Sequence, residues 1–178
     1  MNSNTVFLDR DGILIEDHGY VYKKEDLQLL PGVKQGLAKL KSEGFRLVVV
    51  SNQSGIARGK FTEKDVHIFH EALNTEVENS IDAFYYCPHH VDGTIPEFTR
   101  GCDCRKPGIL MFETDKKIAP FTNAIMVGDK SSDIEFAKNA GIPGVFIESR
   151  YGSCNEADYQ AANFTEAVET ILNHFSRT

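Results

Sequence analysis

Val6-Phe7-Leu8-Asp9-Arg10-Asp11-Gly12, residues 6–12, is the stretch that decides the fold of this chain. A short apolar run bounded by polar residues reads as a buried strand, and its end carries two carboxylates and a glycine. Working outward, residues 45–50 form a second buried run, rich in β-branched side chains. Between the two, Val33, Leu37 and Leu40 share one helical face, and Gly44 is placed to stop that helix. Thr62 with Asp65 three residues later signals the start of a helix carrying Val66, Phe69, Leu73 and Val77. Residues 83–86, 124–127 and 145–147 read as three further strands. Further helices are expected with Pro107 in a first turn, from Ser132 and Glu135 to Gly141, and over Val168, Ile171, Leu172 and Phe175 with Thr165 as the cap. Strands alternating with helices predict a parallel sheet covered on both faces, a three-layer α/β fold built as one domain over residues 1–178. Two irregular stretches, 15–31 and 87–107, are too long for simple connections and are expected to be functional.

The chain has 178 residues, 41% apolar and 25% charged, which suits a compact fold with a sizeable core. Its formal charge of -7 argues against a nucleic-acid partner, because phosphate backbones are held mainly by Lys and Arg. A small anionic substrate needs only a few local cations and remains compatible. The first residues show no basic start followed by a signal-length apolar stretch, and no run is long enough to span a membrane. A cytoplasmic, monomeric protein is therefore expected, and its four cysteines should be thiols or metal ligands.

In an open parallel sheet, ligands bind beyond the carboxyl ends of the strands. Strand one ends in Asp9-Arg10-Asp11-Gly12, strand two in Ser51-Asn52-Gln53-Ser54-Gly55, and the fourth in Gly128-Asp129-Lys130 with Asp133 a turn later. Asp9 and Asp129 can share magnesium, a hard cation that takes few protein carboxylates. With phosphoryl charge neutralised, Asp9 can attack phosphorus and form an aspartyl-phosphate. Asp11 can lean toward the leaving oxygen as acid and later serve water as base. The Ser51 hydroxyl and the amides of its loop can cradle phosphoryl oxygens, and Lys106 can stabilise charge that develops in transfer. Taken singly, a D-x-D pair is more often an exposed turn, and a Gly-Asp is often only a helix cap. The ordered set carries the inference.

Cys87-x-His89 and Cys102-x-Cys104 supply three sulfurs and one imidazole, a donor set suited to tetrahedral zinc. Each pair is spaced more tightly than in a zinc finger, and ordinary buried cysteines are the alternative. Against that, Asp92, Gly93, Thr94 and Arg100 leave this segment almost nothing apolar to bury, so a structural zinc is expected to order the loop over 87–104. The loop leads directly into Arg105 and Lys106. His90 is expected to face the surface or substrate, Tyr85 and Tyr86 to pack the strand, and Cys154 to be a spectator.

FLDRDG (7–12), VVVSNQSGIARGKFT (48–62), YYCPHH (85–90), CDCRKP (102–107) and MVGDKSSD (126–133) together resemble the haloacid dehalogenase superfamily, and within it the heptose bisphosphate phosphatase family. The resemblance runs in order from Phe7 to about Ile147. It implies a Rossmann-like fold with no large cap domain. It also implies Asp9 as nucleophile, Asp11 as acid/base, Ser51 and Lys106 as the phosphoryl-stabilising pair, and magnesium on Asp9, the Asp11 carbonyl and Asp129. Substrate contacts implied in the same way fall on Asp17, His18, Gly19, Tyr20, Ser51, Asn52, Gln53, Ser54, Arg105, Lys106 and Lys130. The implied reaction removes the C7 phosphate of a heptose 1,7-bisphosphate, in the synthesis of nucleotide-activated heptose for lipopolysaccharide. Histidinol-phosphate phosphatases share these features and are the rival. Arg58, Lys60 and Arg105 suit a second phosphate, which histidinol phosphate lacks. A non-catalytic phospho-ligand sensor would not need the intact Asp9/Asp11 pair. Two positions depart from the family: Ile13 stands where Thr or Val is usual, and Gly108 follows Pro107 without the two residues that commonly intervene.

Overall fold

The computed structural model describes residues 4–149, 152 and 154–176. Six strands, β1 (Thr5–Leu8), β2 (Arg46–Asn52), β3 (Ala83–Cys87), β4 (Ala124–Gly128), β5 (Gly144–Ile147) and β6 (Tyr159–Ala161), form one sheet in the order β3-β2-β1-β4-β5-β6. Every pairing is parallel. Five helices connect or follow them: α1 (Val33–Ser42), α2 (Glu63–Glu76), α3 (Leu110–Ile118), α4 (Ser131–Ala140) and α5 (Phe164–Phe175). The expected three-layer α/β architecture is the one observed, and no large cap stands over the sheet among the described residues. Among the described residues, no helix is long and apolar enough to cross a membrane.

The period-2 geometry of a strand explains how both faces are covered. Val6 and Leu8 of β1, with Leu47 and Val49 of β2, point into a core shared with α1, α2 and α5. Phe7, Val48, Val50 and Met126 point the other way, onto Met111 and Phe112 of α3 and Phe136 of α4. Because both faces are buried, these strands read as continuous apolar runs and not as alternating ones. The helices change face between β3 and β4, so β1 and β4 lie side by side where the winding reverses. That junction is where an open α/β sheet offers a crevice to a ligand.

Local signals account for most helix ends. Thr62 and Asp65 make the reciprocal capping box expected of them, Asp65 N to Thr62 Oγ1 at 3.3 Å and Thr62 N to Asp65 Oδ2 at 2.8 Å. Gly44, left-handed at φ +82°, follows α1 as expected. Three expectations are corrected. The cap of α5 is Asn163, whose Oδ1 accepts from Glu166 N at 3.0 Å, and not Thr165, which instead packs toward Gly32 ahead of α1. Helix α4 starts at Ser131 with Lys130 in the cap position, one residue before the predicted Ser132. Pro107 lies outside α3, which begins only at Leu110, and the Lys106–Pro107 bond is cis.

Candidate active site

Parallel strands deliver their carboxyl ends to one edge, so Asp9 after β1, Ser51 and Asn52 closing β2, Cys87 closing β3 and Asp129 after β4 all gather there. Asp9 is 4% exposed and sits between two ammonium groups, Lys106 Nζ at 2.8 Å from Oδ1 and Lys130 Nζ at 3.3 Å from Oδ2. Burial by itself would raise the Asp9 carboxyl, but the two lysines outweigh it and hold the group below the ordinary carboxylate range. Lys106 also reaches Asp133 Oδ1 at 2.7 Å and the Val50 carbonyl at 2.8 Å. Burial works to strip its proton, yet the Asp133 and Asp9 carboxylates push its pKa up and keep it charged.

Lys106 is placed by its backbone as much as by its charge. The Asn52 carboxamide clasps it, Asn52 Nδ2 donating to Lys106 O at 3.1 Å and Lys106 N donating to Asn52 Oδ1 at 2.9 Å. The short junction after it is absorbed by Gly108, where a β-carbon would stand 2.3 Å from the Asp103 carbonyl oxygen. Gly12 is equally constrained. It is left-handed at φ +90°, and a β-carbon there would meet Asp129 Oδ2 at 2.3 Å.

Asp9, Asp129 and Asp133 each offer a ligand oxygen within 4.8 Å of the others. Both Asp129 oxygens are buried, with the Lys130 ammonium 3.2 Å from Oδ1, and desolvation drives its pKa up to about 6. A buried carboxylate left in that state calls for a cation. Lys130 marks the place: its Nζ lies 3.3 Å from Asp9 Oδ2, 3.1 Å from the Asp11 carbonyl and 3.2 Å from Asp129 Oδ1. These are the oxygens that the family resemblance assigns to magnesium, and they converge on one positive charge. The donor set is all oxygen, as magnesium requires. The residues fit the metal.

The Asp11 carboxylate is held by Arg10, with Nη2 to Oδ1 at 2.8 Å, and by Gln53 Nε2 to Oδ2 at 2.9 Å. Gln53 Nε2 also donates to Ser51 Oγ at 2.7 Å. A polar cleft of about 250 Å³ opens over Arg10, Asp11 and Gln53, walled by Asp17, Gly19, Tyr20, Asn52, Ser54 and Lys130 among others, while Asp9, Ser51 and Lys106 lie buried outside its lining. A larger cavity of about 350 Å³ lies on the β5 side of Gly12 and Asp129, but among its described lining residues none is a cation. The smaller one is lined by the cations Arg10 and Lys130. Of the predicted contact residues, His18 lines neither wall; it is 59% exposed and pairs with Glu16 at 3.0 Å. Arg105 lies outside the cleft lining, with its Nη1 buried and lacking a hydrogen-bond partner. Nearby, Arg58 Nη2 stands 3.3 Å from His90 Nδ1, and burial together with Arg105 and Arg58 lowers the His90 pKa.

The second cluster hangs from the end of β3. Cys87, His89, Cys102 and Cys104 bring one donor atom each within 4.8 Å of the others. Cys87 Sγ is 2.9 Å from Cys104 Sγ and 3.4 Å from Cys102 Sγ, and His89 Nδ1 is 3.2 Å from Cys104 Sγ. A tetrahedral zinc–thiolate site has edges of about 3.8 Å, from bonds of ~2.3 Å, so a metal would spread this set slightly. Hydrogen bonding between the two sulfurs lowers the Cys104 thiol and raises that of Cys87. The cluster is wired to the cleft: Gln53 N donates to the Cys87 carbonyl at 2.8 Å, and Asn52 pairs with Cys87 in the sheet register.

Residues missed by sequence reasoning act through their neighbours. Asp133 was visible one turn after Asp129, but nothing in the spacing showed that it would bind Lys106. Arg10 occupies the variable position of the D-x-D motif, and Gln53, expected at the substrate, lines the cleft and also bonds Asp11 and Ser51 through its amide nitrogen.

Comparison with known proteins agrees with this geometry. A family model described as HAD-hydrolase-like matches residues 103–176. The D-glycero-beta-D-manno-heptose-1,7-bisphosphate 7-phosphatase of Escherichia coli (strain K12) is 43% identical over 142 residues, covering 77% of this chain and 74% of that protein. The enzyme of the same name from Salmonella typhi is 43% identical over 173 residues, covering 94% and 89%. Among solved structures, the D,D-heptose 1.7-bisphosphate phosphatase of B. bronchiseptica, complexed with magnesium and phosphate, superposes with a TM-score of 0.83. It is 26% identical, over 96% of this chain and 99% of that one.

Proposed function

We propose, since the chain belongs to the heptose 1,7-bisphosphate 7-phosphatase family of haloacid dehalogenase-like hydrolases, that it removes the C7 phosphate of D-glycero-D-manno-heptose 1,7-bisphosphate by way of an aspartyl-phosphate. The observation that carries this reading is Asp9, buried between two ammonium groups, one of them the cleft-lining Lys130, and within ligand reach of the buried Asp129 carboxylate. Asp9, the Asp11 carbonyl and Asp129 would hold magnesium. When bound, that cation neutralises phosphoryl charge and lets a carboxylate approach an anion.

Asp9 attacks phosphorus in line with the leaving oxygen, forming a bond from its carboxylate as the ester P–O bond breaks. Asp11 gives its proton to the departing sugar oxygen and takes one back from the water that then releases phosphate. Lys106, fixed by Asn52 and Asp133, stays against the developing charge and costs no reorganisation when the reaction occurs. Ser51 and the amides through Gly55 receive phosphoryl oxygens, Lys130 moves from the carboxylates to the substrate, and Asp17, Gly19, Tyr20, Asn52 and Ser54 line the sugar. The Arg58, His90 and Arg105 group suits the C1 phosphate. Zinc on Cys87, His89, Cys102 and Cys104 orders the loop that places Arg105 and Lys106.

The deciding experiment is phosphate release from both anomers of the heptose bisphosphate, with histidinol phosphate as the comparator. Magnesium-dependent turnover of the bisphosphate in clear preference to histidinol phosphate is expected. The reverse preference would overturn the substrate assignment.

A further inference from the structure

We propose that Arg10, the residue between the two carboxylates of the first motif, is a positioning residue that locks Asp11 and ties it to the loop walling the cleft. This inference rests on Asp11 being the acid/base of the reaction. Arg10 is 1% exposed and ranks among the largest fully buried side chains of the molecule. Its Nε lies 3.2 Å from each Asp11 oxygen and its Nη2 2.8 Å from Oδ1. The same Nη2 donates to the Val21 carbonyl at 2.7 Å.

From behind, α2 closes the arrangement. The guanidinium carbon stands 4.7 Å from the centre of the Phe69 ring, and Nη1 is 3.5 Å from His70 Nε2. Arginine can only donate, so the lone pair in that contact belongs to His70. His70 is itself stacked on Phe84 at 4.6 Å, and burial, aided by the Arg10 charge, keeps it neutral. The guanidinium is thus held on every side, and a planar fork with donors pointing in several directions is the group that can do this.

Two consequences follow for catalysis. A short carboxylate just past a strand end would otherwise turn toward water. Here it is gripped by Arg10 and Gln53, with 18% of its side chain left open. Misplacement of a proton donor by about 1 Å can cost on the order of a hundredfold. The second consequence concerns the loop. Val21 follows Gly19 and Tyr20, both left-handed at φ +81° and +57°, and all three wall the cleft. One guanidinium therefore fixes the proton donor and the wall against which the substrate rests.

The test compares Arg10→Lys, Arg10→Gln and Asp11→Asn on two substrates, an aryl phosphate whose phenolate leaves without a proton and a sugar phosphate whose alkoxide needs one. Arg10→Lys is expected to lower kcat on the sugar phosphate about tenfold more than on the aryl phosphate, part of the 10²–10⁴ typical of acid/base catalysis. It should also raise KM for the sugar phosphate alone, because the wall loosens. Asp11→Asn should show the same selectivity more strongly. Equal losses on both substrates in the Arg10 variants, with Asp11→Asn still selective, would leave Arg10 a purely structural residue and overturn the proposal. An unselective Asp11→Asn would instead overturn the acid/base reading beneath it. Should Arg10→Gln fail to fold, Arg10→Lys keeps the buried charge while losing the fork, and decides the matter alone.

Discussion

The two metal-type clusters of this molecule solve opposite problems. The carboxylates Asp9, Asp129 and Asp133 sit beyond the ends of central strands, in a frame whose core residues assemble without them. Their mutual repulsion is met from within the chain by Lys106 and Lys130. Cys87, His89, Cys102 and Cys104 sit on a loop with few apolar side chains to bury, and among the described residues no lysine contacts their sulfurs. One cluster carries its own cations and can stand without metal. The other, on the proposed reading, depends on the metal it binds. On that reading, a weak magnesium site can therefore be catalytic, because the fold does not need the ion, whereas a zinc site on the sulfurs would have to be closed and tight.

The contrast breaks first, and most visibly, at Asp9. Asp9→Asn is expected to abolish turnover while the melting curve stays near the parent's. Residual activity above about a hundredth, a loss smaller than that of a typical acid/base, would remove the nucleophile from the hard site. Next comes Cys102→Ser. Losing a sulfur ligand should lower Tm by at least several degrees, since structural zinc contributes folding free energy, and should raise KM and lower kcat together through Arg105 and Lys106. Unchanged stability with abolished turnover would make the sulfur metal catalytic. Elemental analysis should find about one zinc per chain, retained under a mild chelator that strips magnesium and activity.

Lys130 sharpens the comparison by a smaller amount. If its ammonium stands in for the metal, Lys130→Met should lower the magnesium-free Tm and enlarge the stabilisation by magnesium. Each 1 kcal/mol corresponds to about 2–4 °C at this chain length. An unchanged response to magnesium would show that the lysine does not compete. The smallest effect concerns His70, a buried titratable group belonging to neither cluster. Its folded pKa lies well below 6.5, so below pH 6.5 the unfolded chain takes a proton that the folded one refuses, and stability falls as pH falls. His70→Gln should remove that loss, worth up to about 1.4 kcal/mol per pH unit. Melting curves of parent and variant at pH 7.5 and 5.5 measure the difference.

Much of this was legible in the sequence because the central strands are buried on both faces and read as unbroken apolar runs. Asp9, Ser51 and Asp129 could be placed at one edge from the strand ends alone. Strand β6 was missed: three residues, Tyr159–Ala161, at the sheet margin are too few to show a period. Thr165 was expected to cap α5, where Asn163 does so; both residue types accept from a helix amide, so residue type alone does not fix where the helix starts. Arg10, Asp133 and Gln53 could not be assigned their partners, because a one-dimensional spacing carries no information on which charges meet across a sheet.

Strand order has a consequence for how the chain is made. β1 is synthesised before the other strands of its sheet, yet it lies in the middle, and its second edge is covered only by β4, more than a hundred residues later. At about 5–20 residues per second, the edge of the nascent β1 waits on the order of ten seconds for its neighbour. An apolar strand with an open edge invites pairing with other chains. Slowing translation between β3 and β4 should therefore lower the yield of soluble protein, and a chaperone that shields extended apolar segments should restore it.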